Sequence, residues 1–186
     1  VLAASAAHAV QPITGAFGVE LGKKLNTSYI DYSFGGTPKR SGDFMQFSIN
    51  PPSPNELFYA YTATITTESK RVVQVEARGK IDGKNECLSR LEYLGKYLVS
   101  KYGGQLEIEK LGDTFGLKTH AFFLDPPTSR AFVAAACSET NTVDNGFYER
   151  GFFDGDDETT YLIIINYNIP SSFLSRSETE SDSTGL

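Results

Sequence analysis

The chain is poor in the residues from which metal and nucleophile sites are usually built. Its 186 residues include two cysteines, two histidines, one methionine and no tryptophan. His8 falls in a segment that we expect to be removed, which leaves His120 as the one histidine of the mature chain. Because both cysteines are assigned below to a disulfide, a zinc site of His and Cys ligands is excluded by number. We therefore expect neither a metal nor a cofactor.

Several catalytic motifs are also missing. The sequence contains no P-loop, no G-x-G-x-x-G and no G-x-S-x-G segment. A Ser-His-Asp or Cys-His site would have to use His120, which we interpret as structural. A pair of catalytic carboxylates stays open, because the spacing that matters for such a pair is spatial.

Charge and hydropathy exclude two further classes of protein. The formal net charge is −6, whereas a general nucleic-acid-binding protein needs a basic footprint. No apolar run approaches the roughly 18 residues that a transmembrane helix requires. We therefore expect no nucleic-acid partner and no transmembrane segment.

The first nine residues resemble the end of a secretory signal. A small apolar run leads to Ala7-His8-Ala9, which fits the A-x-A cleavage pattern. An Ala-rich frayed helix is the alternative. We predict a signal peptide remnant at residues 1–9 and a periplasmic or secreted protein.

Two cysteines in an exported protein predict one disulfide, between Cys87 and Cys137. Two buried free thiols are the alternative. Cys137 shares one face of a predicted strand with Ala131, Val133 and Ala135, on the side where a helix carrying Cys87 would lie.

One long amphipathic helix is predicted at about residues 84–102. Apolar residues recur there at spacings of three and four, on the face that carries Cys87, Leu91 and Leu98. Gly103 supplies the left-handed residue that ends a helix. One apolar face needs one partner surface, so this helix should pack on a sheet.

Most of the remaining chain reads as strands. They are predicted at 29–34, 44–49, 57–66, 71–78, 106–111, 117–124, 130–138 and 160–169, the last one central in its sheet, with a polar turn at 67–70. A short N-terminal helix is predicted at 19–25. Serial strands with few helices predict an α+β fold with a mainly antiparallel sheet, in a single domain at 10–170.

A tandem repeat of a helix followed by strands, at 13–79 and 83–169, is a further interpretation. Residues 171–186 are predicted to be a disordered acidic tail.

One segment is long for a connection within a compact domain and strongly charged. Residues 139–158, the acidic segment, hold seven acidic residues and one arginine, a net charge of −6. We predict that this segment binds a protein with a basic surface, since rings supply desolvated area and acids supply steering. Its candidate binding residues are Phe147, Tyr148, Phe152, Phe153, Asp154, Asp156, Asp157 and Glu158. The alternatives are a solvated loop whose rings pack on the sheet, and a calcium site, although the spacing departs from the EF-hand pattern.

A second exposed candidate is the turn at residues 31–43. It carries Tyr32 and Phe34 beside Lys39 and Arg40, and it reads equally well as an ordinary hairpin loop.

Taken together, the sequence predicts an exported, non-catalytic bacterial protein that binds another protein, as an inhibitor or an envelope accessory. A small exported hydrolase using carboxylates is the alternative.

Overall fold

The computed structural model describes residues 10–33, 37–114, 117–126, 129–140 and 160–170. It contains ten strands, one α-helix and one short 3₁₀ helix at Thr27–Tyr29 within these ranges. The elements in chain order are β1 (Gly15–Ala16), β2 (Val19–Glu20), β3 (Lys39–Ser41), β4 (Phe44–Ser48), β5 (Ala60–Thr66), β6 (Val72–Asp82), α1 (Lys84–Tyr102), β7 (Ile108–Thr114), β8 (Leu117–Leu124), β9 (Phe132–Thr140) and β10 (Thr160–Asn168).

Eight of the strands form one antiparallel sheet. Its order is β3-β4-β5-β6-β10-β9-β8-β7, so the two sets of four consecutive strands meet at β6 and β10. The predicted α+β class with a mainly antiparallel sheet is thereby confirmed. The prediction that β10 is central is also confirmed, because it pairs with β6 on one side and β9 on the other.

The helix α1 covers one half of one sheet face, which we call the packed face. It lies against β6, β8, β9 and β10. Its buried positions are Cys87, Leu91, Gly95, Leu98 and Tyr102, which confirms the predicted apolar face and adds Gly95. A side chain at Gly95 would meet Leu106, whose methyl group lies 2.5 Å from the position of a Cβ there.

The outer surface of α1 is polar, as the sequence predicts. Two ion pairs between residues four apart, Glu86–Arg90 and Glu92–Lys96, are formed there at 2.7 Å and 2.6 Å. The helix ends at Gly103, whose φ is 74° and whose N–H donates to the Val99 carbonyl. Such a left-handed residue costs glycine little, which is why it closes a helix well.

The N-terminal segment covers the other half of the packed face, but it is not helical. The helix predicted at residues 19–25 is wrong, because β1 and β2 form a hairpin there and residues 21–22 form a turn. Phe17 and Gly18 both have positive φ, 54° and 79°, as in the two-residue turns that close hairpins. The Phe17 ring then packs edge-on against Phe58, Tyr61 and Tyr167. The segment therefore folds as a hairpin, although its apolar residues have helical spacing.

A second correction follows at residues 29–34, where we predicted a strand. The chain instead makes the 3₁₀ turn at Thr27–Tyr29, with the Asn26 side chain accepting from the Ser28 N–H. Ile30 contributes only an isolated bridge to Ile49. The proposed tandem repeat is not seen in the predicted form, since α1 precedes the second set of strands and no α-helix lies among the described residues of the first half.

Candidate binding surfaces

The second face of the sheet, which we call the open face, carries half-buried side chains. Along β5 and β10, buried residues on the packed face alternate with intermediate ones on the open face. This alternation is typical of an antiparallel sheet with only one fully packed face. Leu162, Ile164 and Ala136 form part of the open face at the centre of the sheet, and polar residues dominate towards β3.

A row of polar side chains crosses five strands of the open face. The register places Lys39 opposite Gln46, Gln46 opposite Thr64, Thr64 opposite Gln74, and Gln74 opposite Asn168. Neighbouring strands lie about 4.8 Å apart, so this polar row is roughly 19 Å long.

Hydrogen bonds join the polar row to the next row of the open face. Gln46 Nε2 donates to Thr62 Oγ1 at 3.2 Å, and Gln74 Nε2 donates to Asn166 Oδ1 at 2.6 Å. The Thr64 hydroxyl donates to Gln74 Oε1 at 3.4 Å. These bonds hold the amide groups in fixed orientations across strands β4, β5, β6 and β10.

A groove of about 700 Å³ lies over the polar row. All five residues of the row line it, together with Arg40, Ser41, Phe44, Val73 and Ile169. None of these ten described residues is acidic. The sequence indicated Lys39 and Arg40 only as part of an exposed turn, whereas the groove that they line extends to Asn168 and Ile169 from a distant part of the chain.

Charged groups continue along β6 beyond the groove. Glu76 is the one charged residue that is buried among the described residues, and its carboxylate forms an ion pair with Arg78. The two residues lie on the open face, since they are two and four positions from Gln74. Partial desolvation lowers the pKa of Lys39, and the positive charge of Arg78 lowers it further.

The cysteine pair lies on the packed face, between α1 and β9. The Cys87 and Cys137 Sγ atoms are 2.13 Å apart and the Cα atoms 5.9 Å, so the predicted pairing is confirmed by the geometry. Both residues are buried. His120 lies on β8 opposite Cys137 and is half-buried.

The rings on the packed face are strongly desolvated. Burial holds the pKa of Tyr167 well above its usual range, and the neighbouring Tyr102 and Tyr97 raise it further. Burial also raises the pKa of Tyr61, whose hydroxyl donates to the Asn55 carbonyl at 2.9 Å. These tyrosines stay neutral and serve as packing groups.

The predicted binding residues of the acidic segment lie outside the described residues. These are Phe147, Tyr148, Phe152, Phe153, Asp154, Asp156, Asp157 and Glu158, within the range 141–159. The structure does describe the two strands that flank this range. Thr140 at the end of β9 pairs with Thr160 at the start of β10, and Glu139 pairs with Tyr161. Burial and the charge of Glu139 both raise the pKa of Tyr161.

The described residues contain neither a metal-binding cluster nor a membrane-spanning helix. No group of three or more His, Cys, Asp or Glu residues within the described ranges is arranged to hold a metal ion. Within the same ranges, no helix has the length and apolar character needed to cross a membrane. Comparison with protein-family models, with curated proteins and with solved structures found no match.

Proposed function

We propose that this chain is an exported, non-catalytic protein that binds another protein with a basic surface. The acidic segment is the binding element, and the protein acts in the periplasm or outside the cell as an inhibitor or an accessory of the bacterial envelope. The carboxylate hydrolase remains the alternative from another functional class.

The observation that carries the proposal is the position at which β9 ends and β10 begins. The two strands are paired as far as Thr140 and Thr160, so the two ends of the connection between them are already adjacent. Two residues are enough to join antiparallel strands in that arrangement. The connection nevertheless contains the nineteen residues of the range 141–159. Its length is therefore not needed to span a distance within the fold, and long loops of this kind are frequently functional.

The composition of the connection supports the same conclusion. A net charge of −6 over residues 139–158 is unfavourable at close range unless water or a positive partner compensates it. The segment also contains Phe147, Tyr148, Phe152 and Phe153, which a purely solvated run of charges would not need. Acids around rings are suited to steering a basic protein and then anchoring it.

Capture from a periplasmic extract tests the proposal. The full chain is compared with Asp154→Asn/Asp156→Asn/Asp157→Asn, which removes three charges from the acidic segment. The matched control is Glu56→Gln/Glu68→Gln/Glu107→Gln, which removes three charges from exposed positions elsewhere. We expect a basic protein to be captured by the wild type and by the control, but not by the Asn variant. Equal capture by the two variants would rule out the acidic segment as the binding element.

Replacement of Phe152 or Phe153 by alanine should increase the dissociation rate from the captured partner. An anchoring ring contributes about 2 kcal/mol or more, which corresponds to a dissociation rate on the order of thirtyfold faster. The melting temperature should stay close to that of the wild type, because the rings are proposed to contact the partner and not the sheet. A lower melting temperature with unchanged binding kinetics would instead show that these rings pack on the sheet.

A further inference from the structure

The groove over the polar row differs in chemistry from the acidic segment, because polar and basic side chains line it. It lies at the Asn168 end of β10, whereas the acidic segment joins β10 at Thr160. The strand ends from which the acidic segment continues, Thr140 and Thr160, are therefore separated from the groove by the length of a nine-residue strand.

The floor of the groove offers paired donors and acceptors. Each amide of Gln46, Gln74 and Asn168 presents an oxygen that accepts and an NH₂ group that donates two hydrogen bonds. Ser41 adds a hydroxyl group that can donate and accept, whereas the Thr64 hydroxyl donates its hydrogen to Gln74 Oε1 and can still accept. The bonds from Gln46 to Thr62 and from Gln74 to Asn166 each use one donor position. Such a surface matches a ligand that is rich in hydroxyl groups.

The rim of the groove is positively charged. Lys39 and Arg40 lie on the edge strand β3, and the groove lining contains no carboxylate among the described residues. Glu76, the nearest carboxylate along β6, is paired with Arg78. In a chain with a net charge of −6 this is a local concentration of positive charge, which favours a ligand that carries anionic groups.

The direction of the groove distinguishes between two kinds of chain ligand. The polar row runs across the strands and reaches the sheet edge at β3, so an occupant meets mainly side chains, contributed by five strands. An extended peptide instead binds mainly by adding a strand to a sheet edge. The half-buried Phe44 ring gives the groove one apolar wall, suited to the C–H face of a sugar ring.

We propose that this groove binds acidic oligosaccharides, with the amide row contacting the sugar hydroxyls and Lys39 and Arg40 contacting carboxylate or sulfate groups. Carboxylates and sulfates are both met by the guanidinium and ammonium donors at the rim. Desolvation lowers the pKa of Lys39 and the positive charge of Arg78 lowers it further, so an anion bound near Lys39 would raise that pKa again.

Titration calorimetry with the full chain tests this proposal with four probes. They are an oligogalacturonate, a heparin-derived oligosaccharide, a neutral cello-oligosaccharide and a poly-glutamate peptide. We expect binding of at least one of the two acidic oligosaccharides, and which of them binds identifies the anionic group as carboxylate or sulfate. Failure of both, equal binding of the neutral sugar, or tighter binding of the peptide would overturn the assignment.

Matched variants locate the binding. Lys39→Gln/Arg40→Gln should weaken binding by about a hundredfold, since each of the two charge-assisted contacts that are lost costs on the order of one decade in affinity. Lys23→Gln/Lys24→Gln, which removes an adjacent pair of exposed cations from the N-terminal segment, should stay within twofold. Retained binding by the first variant would overturn the proposal.

A second variant and a second readout keep the test independent of folding. Gln46→Glu has nearly the same shape and places a negative charge on the groove floor, so it should abolish binding while the near-UV circular dichroism stays native. In ¹⁵N spectra, the side-chain NH₂ signals of Gln46 and Gln74 should shift on saturation with the oligosaccharide. Unshifted signals in the presence of bound sugar would place the sugar elsewhere and contradict the proposal.

Discussion

Replacement of Cys137 by serine should lower the free energy of unfolding by about 2–5 kcal/mol. The pair closes a loop with a sequence separation of 50, for which the loss of chain entropy in the unfolded state corresponds to roughly 4 kcal/mol. The change also places a hydroxyl group at a position that is only 1% exposed, which is unfavourable unless it finds a hydrogen-bond partner.

Urea unfolding of the oxidised wild type, the reduced wild type and Cys137→Ser measures this effect. The reduced wild type is the matched control, because it loses the bond and keeps both side chains. We expect the reduced protein and the variant to unfold at similar, lower urea concentrations. The same disulfide predicts that thiol titration of protein recovered from the periplasm finds no free cysteine. Two free thiols in that protein would contradict both the pairing and the expected loss of stability.

Leu91→Ala should also destabilise the protein strongly, by about 2–5 kcal/mol, as other large-to-small changes in a core do. Leu91 has no exposed surface and lies at the centre of the face of α1 that packs on the sheet. Removal of its side chain leaves a cavity between α1 and the sheet, because the surrounding residues relax only in part.

The neighbouring positions of α1 provide the controls. Leu94 is half-buried, so Leu94→Ala should cost less than Leu91→Ala. Ser89 is exposed, and Ser89→Ala should lie within about 0.5 kcal/mol of the wild type. Equal losses at the three positions in urea unfolding would show that the packed face of α1 has been assigned wrongly.

The sequence predicts the parts of this fold that depend on local periodicity. The buried positions of α1 recur at helical spacing. Apolar and polar residues alternate along β6, and β10 is almost continuously apolar. Each of these patterns spans enough residues to be unambiguous. The segments at 19–25 and 29–34 are too short to show an unambiguous pattern. In the first of them, the positive φ angles of Phe17, Gly18 and Gly22 decide the structure, and spacing does not reveal them.

The groove is beyond prediction from the sequence for a different reason. Gln46, Thr64 and Gln74 each look like an ordinary polar residue on the solvent side of a strand. They form one row only because the registers of four strand pairs agree, and because β10 inserts next to β6 and brings Asn168 from near the end of the chain. A register that joins distant segments is set by tertiary packing, so no local pattern records it. The cysteine pair was predictable because the chain has only two cysteines.

The dependence of the association rate on ionic strength tests the proposed function most directly. It is measured for the captured basic partner with the wild type and with Asp154→Asn/Asp156→Asn/Asp157→Asn. Steering by the acidic segment predicts that the wild-type rate falls steeply as salt is added, since exposed charges are screened beyond about 8 Å at physiological ionic strength. The Asn variant should associate more slowly at low salt and respond only weakly to salt. Identical rates and identical salt dependence for the two proteins would contradict the account.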